Sequence, residues 1–162
     1  MLNVLIVDDN YDNRMALKLL LEDFNELKIY EASDGFEAEE VCKKESMNLI
    51  FMDIMMPKKD GLEALKTIKK FDKKAMIVAV SALDNENAKK SMMINGAEDY
   101  ITKPIDAFVF RKRVKNYIEL IKNRALSSYD EKAINSFTSE VYNRYTMFRL
   151  YNKATLAEMW EY

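Results

Sequence analysis

The sequence predicts a doubly wound α/β sandwich, in which helices cover both faces of a central five-stranded parallel sheet. Short apolar, β-branched runs alternate five times with amphipathic helical stretches, and strict alternation of this kind demands a parallel sheet. A chain of 162 residues is long enough to bury such a core without disulfides. The low counts of 3 glycines and 2 prolines argue against a turn-rich all-β fold.

Each predicted strand is short and apolar, as is typical of strands that are covered on both faces. Turn-forming or charged residues end these runs, as at Ser33, Asp34 and Gly35. The predicted strands are residues 2–7, 27–32, 48–52, 75–80 and 99–102.

Apolar residues at helical spacing predict a helix after each strand. The fourth helix has a stop signal at Asn95 and Gly96, and Asp106 can cap the long fifth one. The predicted helices are residues 11–24, 36–45, a stretch after Gly61, residues 84–95 and a stretch after Asp106.

The composition excludes several classes of function. The chain has no histidine, which excludes Ser-His-Asp catalysis, histidine-ligated metals and phosphohistidine chemistry within the chain. The single cysteine, Cys42, excludes an internal disulfide and is interpreted as a small buried hydrophobe. A net charge of -2 gives no electrostatic case for binding nucleic acid or an anionic membrane. Without a secretory signal or a membrane-spanning apolar run, the protein is predicted to be cytoplasmic.

Polar side chains follow four of the predicted strands. The carboxyl ends of parallel strands meet at one edge of the sheet, where ligands bind beside the switch in strand order. We therefore expect these side chains to share one site. They are Asp8 and Asp9 after the first strand, Asp53 after the third, Ser81 after the fourth and Lys103 after the fifth.

Neighbouring carboxylates repel one another unless a cation joins them. Two unit charges about 4 Å apart repel by roughly 4 kcal/mol at an effective dielectric constant of about 20. A hard, all-oxygen site suits Mg²⁺, and Lys103 supplies a second positive charge. Such a site can hold a tetrahedral anion beside the Ser81 hydroxyl. Asp53 stands alone after its strand and is predicted to be a nucleophile that forms an acyl phosphate, whereas Asp8 and Asp9 form a metal-holding pair.

Four motifs, in this order along the chain, resemble the response-regulator receiver domain of two-component signal transduction. The resemblance covers residues 1 to about 124 and implies the flavodoxin-like strand order 2-1-3-4-5 of the chemotaxis regulators. The motifs are VLIVDDN at residues 4–10, DIMMP at residues 53–57 with Asp60 and Gly61, VSA at residues 80–82, and GAEDYITKP at residues 96–104.

The resemblance implies a role for each residue of the site. Asp53 would accept a phosphoryl group from the phosphohistidine of a sensor histidine kinase or a phosphotransfer protein. Asp9 and Asp53 would bind Mg²⁺ directly, Asp8 would bind it mostly through water, and the backbone carbonyl of Met55 would be another ligand. Lys103 would pair with the phosphoryl oxygens.

The resemblance also implies a conformational switch at Ser81 and Tyr100. On phosphorylation the Ser81 hydroxyl would move toward the phosphoryl group, and Tyr100 would rotate inward. This remodels the face formed by helix four, strand five and helix five, which would control an output domain or a protein partner. The protein would be a switch that catalyses only its own phosphorylation and dephosphorylation, and a homodimer through the same face is also predicted. The bond between Lys103 and Pro104 resembles one that is cis in the family.

Two other classes of protein fit the residues less well. An aspartate-nucleophile phosphohydrolase needs a second aspartate two residues after the nucleophile, where this chain has Met55. A flavin-binding module needs a phosphate loop rich in Ser, Thr or Gly after the first strand, where Asp8 and Asp9 would repel the phosphate.

Two further groups of residues carry predictions. Oxidation of the methionines beside the site by peroxide is predicted to lower the activity. The basic cluster on the fifth helix is interpreted as a solvated face or as ion pairs across a dimer interface, in preference to a nucleic-acid patch. These residues are Met52, Met55 and Met56 beside the site, and Arg111, Lys112, Arg113 and Lys115 on the helix.

Residues 125–162 differ in composition and are predicted to be a C-terminal extension that contains a linker and the start of an output or interaction region. Residues 126–128 are interpreted as a short connector, and aromatic residues are dense beyond them. Residues 141–151 could form a strand, and Thr155 with Glu158 forms a capping box. The extension is too short for a stable core of its own, so it either opens an output domain or docks on a partner.

Overall fold

The computed structural model describes residues 1–128, which fold into five strands and five helices in alternation. The strands are β1 (Leu2–Val7), β2 (Leu27–Ala32), β3 (Leu49–Met52), β4 (Met76–Ser81) and β5 (Asp99–Thr102). The helices are α1 (Tyr11–Leu21), α2 (Gly35–Lys44), α3 (Gly61–Phe71), α4 (Glu86–Ile94) and α5, which covers residues 107–128.

The five strands form one parallel sheet in the order β2-β1-β3-β4-β5, which confirms the predicted fold class and strand order. Val7, the last residue of β1, pairs with Ala32 on one side and with Met52 on the other. Ser81, the last residue of β4, pairs with Thr102. The carboxyl ends of all five strands therefore lie along one edge of the sheet.

The core has two layers because β1, β3 and β4 are buried on both faces. On one face the sheet packs against apolar residues of α2, α3 and α4, including Cys42, Leu65 and Met92. On the other face Phe51 contacts α5, with its ring centroid 5.3 Å from that of Phe110 and 6.3 Å from that of Tyr117.

A polar side chain caps the start of every helix and accepts a hydrogen bond from a backbone N–H three residues ahead, which satisfies a donor that the helix itself cannot. The bonds are 2.8–3.0 Å long. Each cap directly follows the loop from a strand, so the helices begin beside the carboxyl edge of the sheet. The caps are Asn10, Asp34, Asp60, Asn85 and, as predicted, Asp106.

The strand bounds agree with the predicted ones to within one residue, whereas α1 ends three residues earlier than predicted. The chain turns at Phe24, whose N–H donates to the Leu21 carbonyl and whose carbonyl accepts from the Leu27 N–H, both at 3.1 Å. This turn returns the chain to the sheet in time for β2. The predicted stop of α4 is confirmed, since Gly96 follows it with a φ angle of 110°.

The C-terminal part of the chain contains a boundary between two units and the end of the described helix α5. The chain divides into two compact units, Met1–Ile118 and Glu119–Tyr162. Residues 126–128, interpreted from the sequence as a short connector, are helical and continue α5. The predicted strand at residues 141–151 and the capping box at Thr155 lie outside the described residues. Among the described residues, no helix has the length and apolar character needed to cross a membrane.

Candidate functional site

The structure brings three aspartates together at the carboxyl edge of the sheet. Asp8 and Asp9 directly follow β1, Asp53 directly follows β3, and one carboxylate oxygen from each lies within 4.8 Å of the others. Asp8 and Asp53 are buried, and Asp9 is exposed. The sequence predicted this grouping from the parallel topology alone.

Backbone hydrogen bonds fix the two buried aspartates to neighbouring strands. The Asp8 N–H donates to the carbonyl of Ala32 at 3.2 Å, and the Asp53 N–H donates to the carbonyl of Val7 at 2.9 Å. The backbone of each aspartate is thus held by a continuation of the sheet ladder, so the point from which each side chain extends depends on strand register.

Lys103 reaches the aspartates from the end of β5. Its Nζ lies 2.7 Å from Oδ2 of Asp8 and 3.4 Å from Oδ2 of Asp53. Its backbone N–H donates to the carbonyl of Ser81 at 2.9 Å, which fixes the start of the side chain beside β4. The peptide bond that follows, to Pro104, is cis, in agreement with the prediction.

The site holds more negative than positive charge, because it groups three carboxylates with one ammonium, which pairs with Asp8 and Asp53. Burial raises the pKa of the Asp53 carboxyl, Lys103 partly opposes this rise, and the charge of Asp8 adds to it. An all-oxygen donor set of this spacing fits a hard divalent cation such as Mg²⁺, which prefers carboxylate and carbonyl oxygens.

The Asp8 carboxylate is the most fully bonded of the three. Its Oδ1 accepts hydrogen bonds from the Asn10 N–H at 2.9 Å and from Asn13 Nδ2 at 3.4 Å, while Oδ2 faces Lys103. Arg14 Nη1 donates to the Asp8 carbonyl at 2.7 Å. Asn13 and Arg14 were not predicted from the sequence, although both lie in the first turns of α1, shortly after the acidic pair.

Ser81 and Tyr100 meet at the backbone of Leu83, in the loop between β4 and α4. The buried Ser81 Oγ accepts a hydrogen bond from the Leu83 N–H at 3.2 Å, and the Tyr100 hydroxyl donates to the Leu83 carbonyl at 2.6 Å. Burial raises the pKa of the Tyr100 hydroxyl. The sequence could not predict the part played by Leu83, because a backbone contact leaves no signal in residue type.

The three methionines named above lie in different environments. Met52 is fully buried and Met56 is buried, whereas Met55 exposes 62% of its surface. Of the three, Met55 is therefore the side chain that dissolved oxidants reach.

Two members of the basic cluster on α5 pair within the chain. Arg111 Nη2 lies 3.4 Å from Asp23 Oδ2, and Arg113 Nη1 lies 3.3 Å from Asp99 Oδ2. These pairs join α5 to the segment that follows α1 and to the start of β5, so the two arginines have acidic partners within the chain.

Comparison with known proteins identifies the class to which this fold and site belong. The family model described as "Response regulator receiver domain" matches residues 4–115. The chain belongs to the response regulator receiver domain family.

Individual relatives agree with this assignment. The chain is 42% identical over 101 residues to the chemotaxis protein CheY of Halobacterium salinarum, a match that covers 62% of this chain and 83% of that protein. It superimposes with a TM-score of 0.65 on a chain of the CheX-CheY-BeF3-Mg²⁺ complex from Borrelia burgdorferi, at 34% identity over 74% of this chain and 88% of the other.

A longer relative matches more of the chain. The cyclic di-GMP phosphodiesterase response regulator RpfG of Xanthomonas campestris pv. campestris is 29% identical over 158 residues. The match covers 92% of this chain and 42% of RpfG, so this chain spans less than half of that relative.

Membership of the family decides the general class of function. Receiver domains are phosphoacceptor switches of two-component systems rather than metabolic enzymes. They bind Mg²⁺ at an acidic pocket and interact with histidine kinases or phosphotransfer proteins and with output domains. The chain is therefore assigned to the receiver domains, and not to the aspartate-nucleophile phosphohydrolases or the flavin-binding modules.

Proposed function

We propose that Asp53 of this chain accepts a phosphoryl group from the phosphohistidine of a sensor histidine kinase or a phosphotransfer protein, in a Mg²⁺-dependent reaction. The observation that carries the proposal is the position of the Asp53 carboxylate, which lies 3.4 Å from the Lys103 ammonium and has an oxygen within 4.8 Å of carboxylate oxygens of Asp8 and Asp9. An aspartate in this position has positive charge beside it to receive the negative charge of an incoming phosphoryl group.

The transfer forms one bond and breaks one. A carboxylate oxygen of Asp53 attacks the phosphorus atom, the phosphorus–nitrogen bond of the donor breaks, and its electron pair returns to the imidazole ring. The product is an acyl phosphate on Asp53. Attack by water on the same phosphorus atom later releases inorganic phosphate and restores the carboxylate, so the chain catalyses only its own phosphorylation and dephosphorylation.

The proposed metal ligands are Asp9, Asp53 and the backbone carbonyl of Met55, with Asp8 acting mostly through water. The hydrogen bonds from Asn10 and Asn13, together with the ion pair to Lys103, support this role for Asp8, because both of its oxygens already have partners. Bound Mg²⁺ supplies positive charge to the phosphoryl oxygens. Lys103 is proposed to turn from the carboxylates to the phosphoryl oxygens once they arrive.

The proposed switch couples Ser81 to Tyr100 through Leu83. When the Ser81 hydroxyl moves toward the phosphoryl group, it leaves the Leu83 N–H, while the Tyr100 hydroxyl still holds the Leu83 carbonyl. The loop between β4 and α4 then changes conformation together with Tyr100. The face formed by α4, β5 and α5 changes with it, and this face would control an output domain, a protein partner or a homodimer.

Residues 125–162 are proposed to be a linker and the start of an output or interaction region. The match to RpfG supports this proposal. It covers 92% of the chain, which is a larger share than residues 1–124 make up, so the similarity extends into residues 125–162. An output related to that of RpfG is the candidate that this similarity favours.

Intact-mass spectrometry tests the phosphoacceptor directly. The wild-type protein is incubated with Mg²⁺ and acetyl phosphate, in parallel with Asp53→Asn and with a sample that contains chelator. The proposal expects a gain of one phosphoryl group in the wild type, and no gain in either control.

Failure of the wild type to gain mass, when it is folded and binds Mg²⁺, leads to a panel of histidine kinases as donors. A folded chain that no donor phosphorylates would show that Asp53 is not a phosphoacceptor. For the extension, limited proteolysis is the test: a segment beyond residue 124 that resists cleavage as well as the rest of the chain would contradict the interpretation as a linker and partial region.

A further inference from the structure

The loop between β3 and α3, residues 54–60, carries the proposed carbonyl ligand, and both of its ends are fixed. At the far end the Gly61 N–H donates to the Ile54 carbonyl at 2.8 Å. A Cβ atom on Gly61 would lie 2.0 Å from the carbonyl oxygen of Asp53, so only glycine allows this close approach. The path of the loop between these ends decides where the Met55 carbonyl lies.

Helix α2 holds the middle of this loop. The Gly35 N–H donates to the Lys59 carbonyl at 3.1 Å, and a Cβ atom on Gly35 would lie 2.7 Å from that oxygen. Lys58 has a φ angle of 67° and places its Nζ 3.5 Å from Oδ2 of Asp34, the cap of α2. The backbone of the loop thus rests on the first turn of α2.

An almost buried ion pair adds a second link one turn further along α2. The Lys59 ammonium pairs with Oε1 of Glu39, and the two side chains expose only 18% and 9% of their surface. The same ammonium donates to Thr67 Oγ1 on α3 at 3.2 Å and lies 5.2 Å from the centre of the Phe36 ring. Lys59 is therefore held from α2 and α3 at once, four residues after Met55.

Stability alone does not account for this pair. Desolvation offsets the attraction between two buried charges, and well-packed apolar residues of similar size often serve stability equally well. Loss of one partner of a buried ion pair, by contrast, leaves the other charge uncompensated, so each charge of the pair depends on the contact between loop and helix. The element that the pair connects to α2 is the loop that follows Asp53.

We infer that Glu39 and Lys59 are positioning residues for the acidic site: their ion pair holds loop 54–60 on α2 and so sets the place of the Met55 carbonyl and of Asp53 for Mg²⁺ binding. The inference rests on the proposed function, because it concerns the same metal site. Neither residue was singled out by the sequence, where Glu39 is one of several acidic residues on a predicted amphipathic helix.

The test measures the Mg²⁺ affinity of four variants and of the wild type. Mg²⁺ is titrated into labelled protein, and the NMR shift of the Met56 amide, which belongs to the same peptide group as the Met55 carbonyl, gives the dissociation constant. The variants are Glu39→Gln, Lys59→Gln, the double variant, and Glu63→Gln. The last removes the exposed pair of Glu63 with Lys66 on α3, at 3.7 Å, and serves as the matched control.

Each single variant of the buried pair is expected to raise the Mg²⁺ dissociation constant by about 10-fold, as the loss of an outer contact to a metal site usually does. The double variant should weaken binding by less than the product of the two single effects, because both remove the same link. Phosphorylation by acetyl phosphate at saturating Mg²⁺ should stay close to the wild-type rate, and Glu63→Gln should match the wild type throughout.

Unchanged Mg²⁺ affinity in folded single variants, or single effects that multiply in the double variant, would overturn the inference. If Glu39→Gln does not fold, Lys59→Gln and the double variant decide the question. A wild-type protein that neither binds Mg²⁺ nor accepts a phosphoryl group would overturn the proposed function and this inference with it. If the wild type binds Mg²⁺ and the variants of the buried pair bind it equally well, only the inference is overturned.

Discussion

Asp53 is a residue whose ionised form lowers the stability of the folded chain. Its carboxylate is buried and lies beside Asp8, and the opposing charge of Lys103 does not fully compensate, so its pKa is raised. The ionised group therefore costs stability until a further cation joins the site. Such a cost is usual where function rather than stability determines the residue.

The substitution Asp53→Asn is predicted to stabilise the chain in the presence of chelator, by about 1 kcal/mol, because it removes a buried negative charge without changing the size of the side chain. Urea unfolding measures the effect. In the wild type, Mg²⁺ at ten times its dissociation constant should add about 1.4 kcal/mol, and the variant should gain less. A variant less stable than the wild type in chelator would show that the attraction to Lys103 outweighs the burial of Asp53.

Met55 is predicted to be the first methionine near the site to react with peroxide, because its side chain is exposed while those of Met52 and Met56 are buried. Peptide mapping after mild treatment should find one added oxygen at Met55, together with slower phosphorylation by acetyl phosphate. The variant Met55→Leu is the control and should keep its phosphorylation rate under the same treatment. If Met55→Leu loses phosphorylation rate to the same extent as the wild type, oxidation of a different residue causes the loss.

At the scale of the elements, α2 contributes both a link to the site loop and a part of the core. Its Cys42 packs with the apolar cluster on one face of the sheet, as the sequence predicted for a lone thiol. Burial raises the pKa of this thiol to about 12, with smaller contributions from Asp72 and Glu39. The folded chain therefore keeps Cys42 neutral at pH values where an unfolded chain ionises it.

This difference predicts a loss of stability at alkaline pH that belongs to Cys42. The unfolded thiol ionises from about pH 9 and the folded thiol only near pH 12, so the contribution is complete below pH 9 and is lost as the pH rises between these values. Between pH 8 and pH 10 the wild type should lose about 1 kcal/mol more unfolding free energy than Cys42→Ala, since the other titrating groups are common to both. Parallel pH dependence of the two proteins in urea unfolding would mean that the thiol is not desolvated in the folded chain.

The elements also show what a sequence can predict and what it cannot. The strands and the cap at Asp106 follow from apolar runs and short-range hydrogen bonds, so their prediction from neighbouring residues succeeded. The end of α1 depends on a turn at Phe24 whose position is set by the return to the sheet, and periodicity alone placed it too late. The buried pair of Glu39 and Lys59 joins a helix to a loop 20 residues away along the chain, which local patterns do not reveal.

At the scale of the whole molecule, parallel strand order accounts for the assembly of the site. Asp8, Asp53, Ser81 and Lys103 each end or directly follow a strand, and the observed order places their strands side by side as β1, β3, β4 and β5. The sequence predicted that these residues lie together, because the parallel topology brings the carboxyl ends of their strands to one edge of the sheet. The contacts at Leu83, Asn13 and Arg14 depend on the exact paths of loops, and no residue pattern indicates those paths.

Every residue of the acidic site lies in the compact unit Met1–Ile118. A chain shortened to residues 1–128 is therefore predicted to bind Mg²⁺ with an affinity within about 2-fold of the full chain and to accept a phosphoryl group on Asp53. Titration calorimetry and intact mass after acetyl phosphate treatment measure the two properties. Loss of both in a folded, shortened chain would assign a part of the site to the extension.

The ion pair between Lys103 and Asp8 joins residues 95 positions apart, and it has a consequence for synthesis of the protein. On the ribosome, the nascent chain presents its three aspartates long before the lysine that pairs with two of them has been translated. Since β5 is the last of the described strands to be made, this sheet also stays open at this side until then. The acidic site is therefore among the last parts of the unit to be completed, and an unfinished chain has the acceptor aspartate but not the cation that faces it.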